Sequence, residues 1–580
     1  MISDKAAVQS VVSLLKSRGI RHIVLSPGSR NAPLVLTFQH DPFFQCYTIV
    51  DERVAGFFAM GIAQQVREAS VLVCTSGSAA LNYAPAIAEA YYQQIPLLVL
   101  TADRPIEWID RGEGQSIRQR DVYANYIQAS FDLVQESRDG DILWHNELLI
   151  NQALEATQHP VPGPVHVNIP FREPLYQTQQ EIFHQPKQVE TLHAKPGLSE
   201  SRLKQLQAQL ESSDKILILT GLLPPDPALQ AALERFASMP NVLVMTETTS
   251  NLHSPAFVDC IDRLIITFDE EEEQAFQPDL LITIGGLIVS KKIKALLRVM
   301  SPKAHWHISS TTPYMDTFQS LTLNVPMQAS DFFDSLNELD IDAPASTYQD
   351  RWQRRHRTNQ LNHRRFLEEE AVYADMSVFN QIHAHLPKGS NYQMGNSSVV
   401  RYVQLYGSSA KWTYNANRGT SGIDGVTSTA AGAAVGSQHP TTVVTGDLAF
   451  FYDSNALWNP HLPSNLKIIL INNQGGSIFR IIPGPSTTGN MEESFEAHHS
   501  LRADLLAQTF NVPYLAAHDA AEVEEGLSWL YESDSVALLE IFTPRELNDQ
   551  ELKRYFAYIQ THKHGRETNG KATATNSSRT

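Results

Sequence analysis

Residues 443–476 read VVTGDLAFFYDSNALWNPHLPSNLKIILINNQGG. One apolar run stops at Gly446-Asp447 and a second, LKIILI, stops at Asn472-Asn473. Runs that are apolar throughout and rich in Val, Ile and Leu are strands buried on both faces, the mark of a parallel sheet covered by helices. Asp447 and Asn473 stand 26 residues apart, the length of one strand–helix–strand crossover. A crossover joins parallel strands, so both strand ends emerge at the same carboxyl edge, where open α/β sheets bind ligands. The Asp447 carboxylate, the Asn473 amide oxygen and a backbone carbonyl such as that of Gly475 are hard oxygen donors. Magnesium takes such donors and completes its octahedron with phosphate oxygens. The glycines let the backbone approach a diphosphate closely. Gly-Asp and Asn-Asn-x-Gly-Gly are each ordinary turn chemistry as well; the pair at this spacing is what points to a cation–phosphate site.

The same rhythm extends over the chain. RHIVLSPG (21–28), SVLVCTSGS (70–78), PLLVLTADRP (96–105) and GPVHVNIP (163–170) are strands ending in turn residues, with helical stretches between them. KILILTG (215–221), NVLVMTET (241–248), DLLITIGG (279–286) and KAHWHIS (303–309) form a second set. NYQMGN (391–396), KWTYNA (411–416), TTVVTGD (441–447), LKIILINN (466–473) and VALLEIFT (536–543) form a third. The pattern predicts an α/β protein of three doubly wound parallel-sheet domains, at 1–180, 195–345 and 350–562, followed by a disordered tail over 563–580. A length of 580 residues is beyond what one hydrophobic core fills. Polar stretches near 176–195 and 342–366 read as connections. The second is rich in Arg and His, but a net charge of −18 argues for a solvated linker and helix over a nucleic-acid groove. The acidic run Asp269–Glu273 reads as a solvated face or loop. No apolar run approaches the roughly 18–20 residues that span a bilayer, and MISDKAAVQSVVSLLKSRGI reads as an amphipathic helix rather than a signal peptide. Cys46, Cys74 and Cys260 form no CxxC pair, which suggests neither zinc site nor disulfide framework and makes a reducing cytoplasm the simplest compartment.

The GD…NN pair resembles the diphosphate–magnesium motif of thiamine-diphosphate enzymes, whose usual form is GDG…NN; here Leu448 takes the third position. The more particular resemblance is to the 2-succinyl-5-enolpyruvyl-6-hydroxy-3-cyclohexene-1-carboxylate synthases of menaquinone biosynthesis. It rests on SPGSRNAPL (26–34), TSGSAALNYAPAIAEA, LTADRP, GQSIRQ (114–119), GNSSVVR (395–401), NRGTSGIDG (417–425) and NNQGGSIFRIIP (472–483), in that order. The resemblance implies a thiamine-diphosphate-binding fold whose first domain holds the pyrimidine and whose third holds the diphosphate, with Mg2+ or Mn2+ on Asp447, Asn473 and Gly475. It implies that Glu52, at the start of DERVAGFFAMGIA, is the catalytic carboxylate on the pyrimidine ring, reaching the cofactor of a partner subunit in a homodimer or homotetramer. Asp51-Glu52 also suits an ordinary helix N-terminus. Ser29 and Gly446 are placed beside the cofactor, Ile423 beneath its bend, and Ile478 and Phe479 as an apolar wall.

That family condenses 2-oxoglutarate with isochorismate and releases CO2. Both substrates are polycarboxylates, which arginine binds in bidentate fashion. The resemblance carries substrate-binding roles onto Arg30, Arg104, Gln115, Ser397, Arg401 and Arg418, and onto Lys291 and Lys292, where the family commonly has Lys-Arg. Three alternatives stay open on the residues: another thiamine-diphosphate carboligase or decarboxylase such as an acetohydroxyacid synthase, a non-catalytic protein that keeps the fold, and a flavin or nicotinamide oxidoreductase. The last lacks a GxGxxG turn; TGLLPPD is a poor substitute. No nucleic-acid partner and no membrane insertion are expected.

Overall fold

The computed structural model describes residues 1–135, 137–481, 484 and 489–565. Pro483, the last residue of the 472–483 segment, lies outside the described residues, as does the expected tail from 566 onwards. Lys563, assigned to that tail by sequence, instead pairs at 2.8 Å with both Asp269 and Glu272.

Three parallel sheets carry the chain. The first runs, in spatial order, Gln45–Thr48, His22–Leu25, Ser70–Cys74, Leu97–Asp103, Pro164–Pro170, Ala129–Asp132. The middle one runs Val242–Thr246, Ile216–Thr220, Leu280–Ile284, Ala304–Ile308, Leu323–Val325. The last runs Thr413–Ala416, Asn391–Met394, Thr441–Gly446, Leu466–Asn472, Ala537–Phe542, Tyr514–Ala517. All neighbouring strands within these sheets are parallel. The first and last sheets share one topology: numbered within each sheet, the strands lie 2-1-3-4-6-5. The winding reverses between strands 1 and 3, which opens a crevice at their carboxyl ends.

The first and last sheets are joined through one core. Helix Glu52–Val66 lies against helix Val426–Gly436, and Phe57, Phe58, Met60, Ala430, Ala431 and Ala434 are buried together. A Cβ on Gly432 would stand 1.9 Å from the Phe58 carbonyl oxygen, and one on Gly61 2.0 Å from that of Thr429. The two backbones therefore touch, and only glycine permits it at these positions. The Arg/His-rich stretch is helix Tyr348–Arg365, with Tyr348 and Trp352 buried against the middle sheet. The acidic run is more than a solvated face: Asp269 caps helix Glu270–Phe276, while Glu272 turns inward to Arg355 at 2.5 Å and to Lys563. No helix among the described residues is long and apolar enough to cross a membrane.

Candidate active site

Asp447 opens helix Asp447–Tyr452 directly after strand Thr441–Gly446, and Asn473 follows strand Leu466–Asn472, its neighbour in the sheet. Both are buried. Asp447 Oδ2 accepts the Gly475 N–H at 2.9 Å, so one hydrogen bond already spans the two strand ends. The Asn473 amide nitrogen donates to Asp375 Oδ2 at 3.2 Å and to Ser477 Oγ at 3.1 Å, which leaves its oxygen for another ligand. The Gly475 carbonyl accepts from the Ser477 N–H at 2.9 Å and keeps one lone pair. Gly475 has φ +148°, and a Cβ there would meet the Glu496 carbonyl oxygen at 2.8 Å. Around Gly446 the space a Cβ would take is open, room for a phosphate oxygen to approach the chain. Carboxylate, amide oxygen and carbonyl make an all-oxygen donor set that fits a hard divalent cation bound with a diphosphate. His499, absent from the sequence reading, brings a ring nitrogen to 3.5 Å of Asp447 Oδ2.

Cations gather one strand further along. Ser397, with φ +70°, precedes helix Ser398–Tyr406, and its carbonyl accepts from Arg401 within the first turn. Arg418 follows strand Thr413–Ala416 and donates to Asn396 Oδ1 at 3.0 Å. Burial pushes both guanidinium groups below their ordinary range, and Arg418 adds to the effect on Arg401. Lys291 and Lys292 open helix Lys291–Met300 in the middle unit. A cavity of about 390 Å³ brings Lys291, Lys292 and Arg401 together with Asp262, Ser398 and Ile478. Lys292 also lies over the Phe556 ring, 5.3 Å from its centroid. Ile478 is buried, while Phe479 is half-buried beside Phe495. Ile423 is 39 % exposed, a large apolar side chain left uncovered at the loop after the sheet edge.

Two buried carboxylates that sequence reasoning missed hold this wall in place. Glu247 accepts the N–H groups of Val289 and Ser290, both at 2.7 Å, and so fixes the turn into the lysine helix. Burial pushes its carboxyl up to about 7, partly opposed by those N–H groups and by Arg418. Glu89, from helix Ala84–Gln93 of the first unit, accepts from Gly419 N at 2.6 Å, Thr420 N at 2.7 Å and Thr420 Oγ1 at 2.5 Å. It pins the loop that carries Arg418 and Ile423. Nothing in AIAEAYY marks Glu89 as more than a helix carboxylate; only the fold brings it to residues 419 and 420. Glu89→Gln cannot accept all three bonds, because one of its two polar atoms becomes a donor facing donors. We expect the variant to raise KM for an anionic substrate by about tenfold with a smaller change in kcat, the cost of leaving such donors unpaired. Steady-state kinetics on both substrates checks this.

The first sheet supplies a second group at its own carboxyl edge. Asp51 accepts from the N–H groups of Arg53 at 2.9 Å and Val54 at 3.2 Å, which caps helix Glu52–Val66 and fixes Glu52 as its first residue. Glu52 is half-buried, and burial raises its carboxyl above the ordinary range. Arg30 is buried, donating to the Phe171 carbonyl at 3.1 Å and standing 3.6 Å from Glu173. Ser29 beside it is exposed. Arg104 donates to the Gly114 carbonyl at 2.9 Å, and exposed Gln115, with φ +54°, packs its backbone over Gly77. Among the described residues, no hydrogen bond or ion pair joins Ser29, Arg30, Glu52, Arg104 or Gln115 to Asp447, Asn473, Arg401 or Arg418. The residues on either side of Glu52 do reach the third unit: Arg53 donates to the Tyr452 carbonyl and Asn455 donates to Asp51, both at 2.8 Å.

Residues 5–124 match the N-terminal TPP-binding domain of the thiamine pyrophosphate enzymes. The chain is 44% identical, over 96% of its length and 99% of the relative, to the 2-succinyl-5-enolpyruvyl-6-hydroxy-3-cyclohexene-1-carboxylate synthase of Flavobacterium johnsoniae. It is 38% identical to the protein of that name from Porphyromonas gingivalis, covering 96% of this chain and 98% of the relative. For Bacteroides thetaiotaomicron the identity is 35%, covering 97% of this chain and all of the relative. Among solved structures, benzoylformate decarboxylase from Polynucleobacter necessarius shares the fold with a TM-score of 0.71, covering 94% of this chain and 99% of that one, at 15% identity.

Proposed function

Since the chain belongs to the family of 2-succinyl-5-enolpyruvyl-6-hydroxy-3-cyclohexene-1-carboxylate synthases, we propose the following account of how its residues carry out that synthesis. The enzyme uses thiamine diphosphate to decarboxylate 2-oxoglutarate and to add the remaining four-carbon fragment to isochorismate. The observation that carries this reading is that Ser477 Oγ lies 3.1 Å from both the Asn473 amide nitrogen and Ser398 Oγ, and Ser398 lines the cationic cavity of Lys291, Lys292 and Arg401, so the oxygen donors adjoin that cavity. The cofactor, when bound, supplies the electron sink that decarboxylation of a 2-oxo acid needs.

The protein's part is binding, orientation and proton control. Asp447, the Asn473 oxygen and the Gly475 carbonyl would hold Mg2+ or Mn2+, and Gly446 would leave room for the diphosphate that the cation binds. Glu52 holds a proton at its carboxylate against the pyrimidine ring; its raised affinity for protons suits that task. Exposed Ile423 would offer the cofactor an apolar contact, and Ser29 would lie beside it. Arg30, Arg104, Gln115, Ser397, Arg401, Arg418, Lys291 and Lys292 bind substrate carboxylates and hydroxyls. The C1 carboxylate of 2-oxoglutarate leaves as CO2, and its C2 forms the new carbon–carbon bond to the isochorismate ring, where a ring double bond opens and the adjacent ring carbon takes up one proton from the site. Ile478 and Phe479 wall the reacting carbon and keep water from protonating it first.

Glu52 is proposed to serve a cofactor held by a partner subunit, so the smallest active unit is a homodimer, with a tetramer as a pairing of dimers. Three free cysteines support a reducing compartment, the cytoplasm. With thiamine diphosphate and Mg2+ supplied, CO2 release from 2-oxoglutarate is expected to be rapid only when isochorismate is present, with pyruvate a far poorer donor. Faster turnover of pyruvate would return the chain to the acetohydroxyacid-synthase type of reaction. Release that ignores isochorismate would point to another acceptor.

A further inference from the structure

Asp375 is a buried carboxylate for which the account above has no use. It is 1 % exposed, and among the described residues it makes no ion pair with a cation. Retaining a charge there is costly unless its hydrogen bonds are met. Each of its two oxygens accepts one. Oδ1 accepts from Thr543 Oγ1 at 2.6 Å and Oδ2 from Asn473 Nδ2 at 3.2 Å. Its own N–H donates to Asn548 Oδ1 at 2.9 Å, and Asn548 Nδ2 donates to Thr543 Oγ1 at 3.1 Å. Three elements meet in this network: the start of helix Asp375–His385, the residue after strand Ala537–Phe542, and the first turns of helix Arg545–Thr561.

We propose that Asp375 is a positioning residue for the cation site: it captures the amide nitrogen of Asn473 and thereby leaves the amide oxygen to the metal. This inference rests on the metal reading of Asp447 and Asn473 given above. A primary amide has two nearly isosteric ends, one donating and one accepting. The other neighbour, Ser477 Oγ, stands 3.1 Å away and is a hydroxyl, which can donate or accept and so does not choose between them. An ionised carboxylate only accepts. It therefore holds the nitrogen on its own side and forbids the flipped amide, which would turn two donor hydrogens towards a cation. Metal ligands are commonly oriented in this way by an outer carboxylate. Asp375 also places a second negative charge near Asp447, which favours a divalent cation over a monovalent one.

The test reads cation binding rather than turnover. Mn2+ is titrated, by the spin-resonance signal of the free ion, into the full-length protein saturated with thiamine diphosphate. Asp375→Asn is expected to raise the half-saturating Mn2+ concentration by about 10- to 100-fold, as loss of an outer-sphere carboxylate does elsewhere. Ser477→Ala should shift it in the same direction by less, and stands as the second variant if Asp375→Asn does not fold. In the double exchange Asp375→Asn with Asn473→Asp, carboxylate and amide trade places. An oxygen again faces the cation, total charge is kept, and affinity should return to within about threefold of wild type if pairing geometry is the cause. A residue that merely supports the fold would not be rescued by that exchange. Unchanged affinity in Asp375→Asn, or a double exchange no better than the single, overturns the proposal. Asp447→Asn separates the two levels. If it abolishes Mn2+ binding while Asp375→Asn does not weaken it, the metal reading stands and this inference falls. If Asp447→Asn leaves binding intact, the metal reading fails and takes the inference with it.

Discussion

Glu52→Gln is expected to lower kcat by about 10²- to 10⁴-fold, the range over which a positioned acid–base group acts, while leaving the substrate KM values near wild type. The glutamine is isosteric, keeps the helix start capped by Asp51, and cannot exchange a proton at the position of Glu52 Oε. Burial already raises the Glu52 carboxyl, and the negative charge of Asp51 adds to the shift. The side chain is therefore poised to hold a proton, while the neighbouring acid Asp51 is engaged in capping the helix. The same variant reports on the assembly. If each site draws Glu52 from one subunit and Asp447 from its partner, Glu52→Gln and Asp447→Asn proteins, each inactive alone, complement on mixing. A twofold dimer that reassorts freely would regain about a quarter of wild-type activity, from one intact site in each mixed pair. Sites built within single chains would regain none.

The fold was readable because most of its strands are buried on both faces. LKIILINN, TTVVTGD and SVLVCTSGS are continuous apolar runs, and such runs alternating with helices leave a parallel sheet as the simple solution. Strands Tyr514–Ala517, Ala129–Asp132 and Leu323–Val325 escaped notice because they are three or four residues long, lie at sheet edges, and are only partly buried. The positions of Asp447, Asn473 and the arginines could be read because they sit in turns after strands, where sequence position and location in space coincide. Glu89, Glu247 and Asp375 were not. Each acts through a neighbour far away in sequence: Glu89 on residues 419 and 420, Glu247 on 289 and 290, Asp375 on 473. A helix carboxylate that caps a distant loop has the same local sequence as one that faces water, and only tertiary packing tells them apart. The acidic run at 269–273 shows the converse. Its composition predicts solvation, yet Glu272 is taken inward because Arg355 and Lys563 meet it there.

Arg401→Ala is expected to raise KM for one of the two anionic substrates by about 10- to 100-fold, as loss of a charge-assisted, partly desolvated hydrogen-bonding group does. Arg401 is held for this purpose on the first turn of helix Ser398–Tyr406, where its guanidinium reaches back to the Ser397 carbonyl. Its partners in the cavity are Lys291 and Lys292 from the middle unit, with Arg418 adding to the local positive field. Burial first, and repulsion from Arg418 second, weaken the hold of Arg401 on its proton in the empty protein, against the opposing charges of Asp262 and Glu247. A dicarboxylate entering the cavity relieves that repulsion, so the cluster is better suited to the bound state than to the free one. Arg401→Lys separates charge from shape. It keeps the positive charge but loses the planar fork, and should fall between wild type and alanine if the substrate carboxylate is gripped at two points. A lysine variant equal to wild type would mean that Arg401 contributes charge alone. An alanine variant with unchanged KM for both substrates would remove Arg401 from the binding site and leave the cavity to Lys291 and Lys292. The chain already carries lysine at 292 beside Phe556, so the pocket tolerates an ammonium at one of its two cationic walls. The demand for a fork then falls on Arg401 and Arg418, the pair anchored to the sheet that carries Asp447 and Asn473.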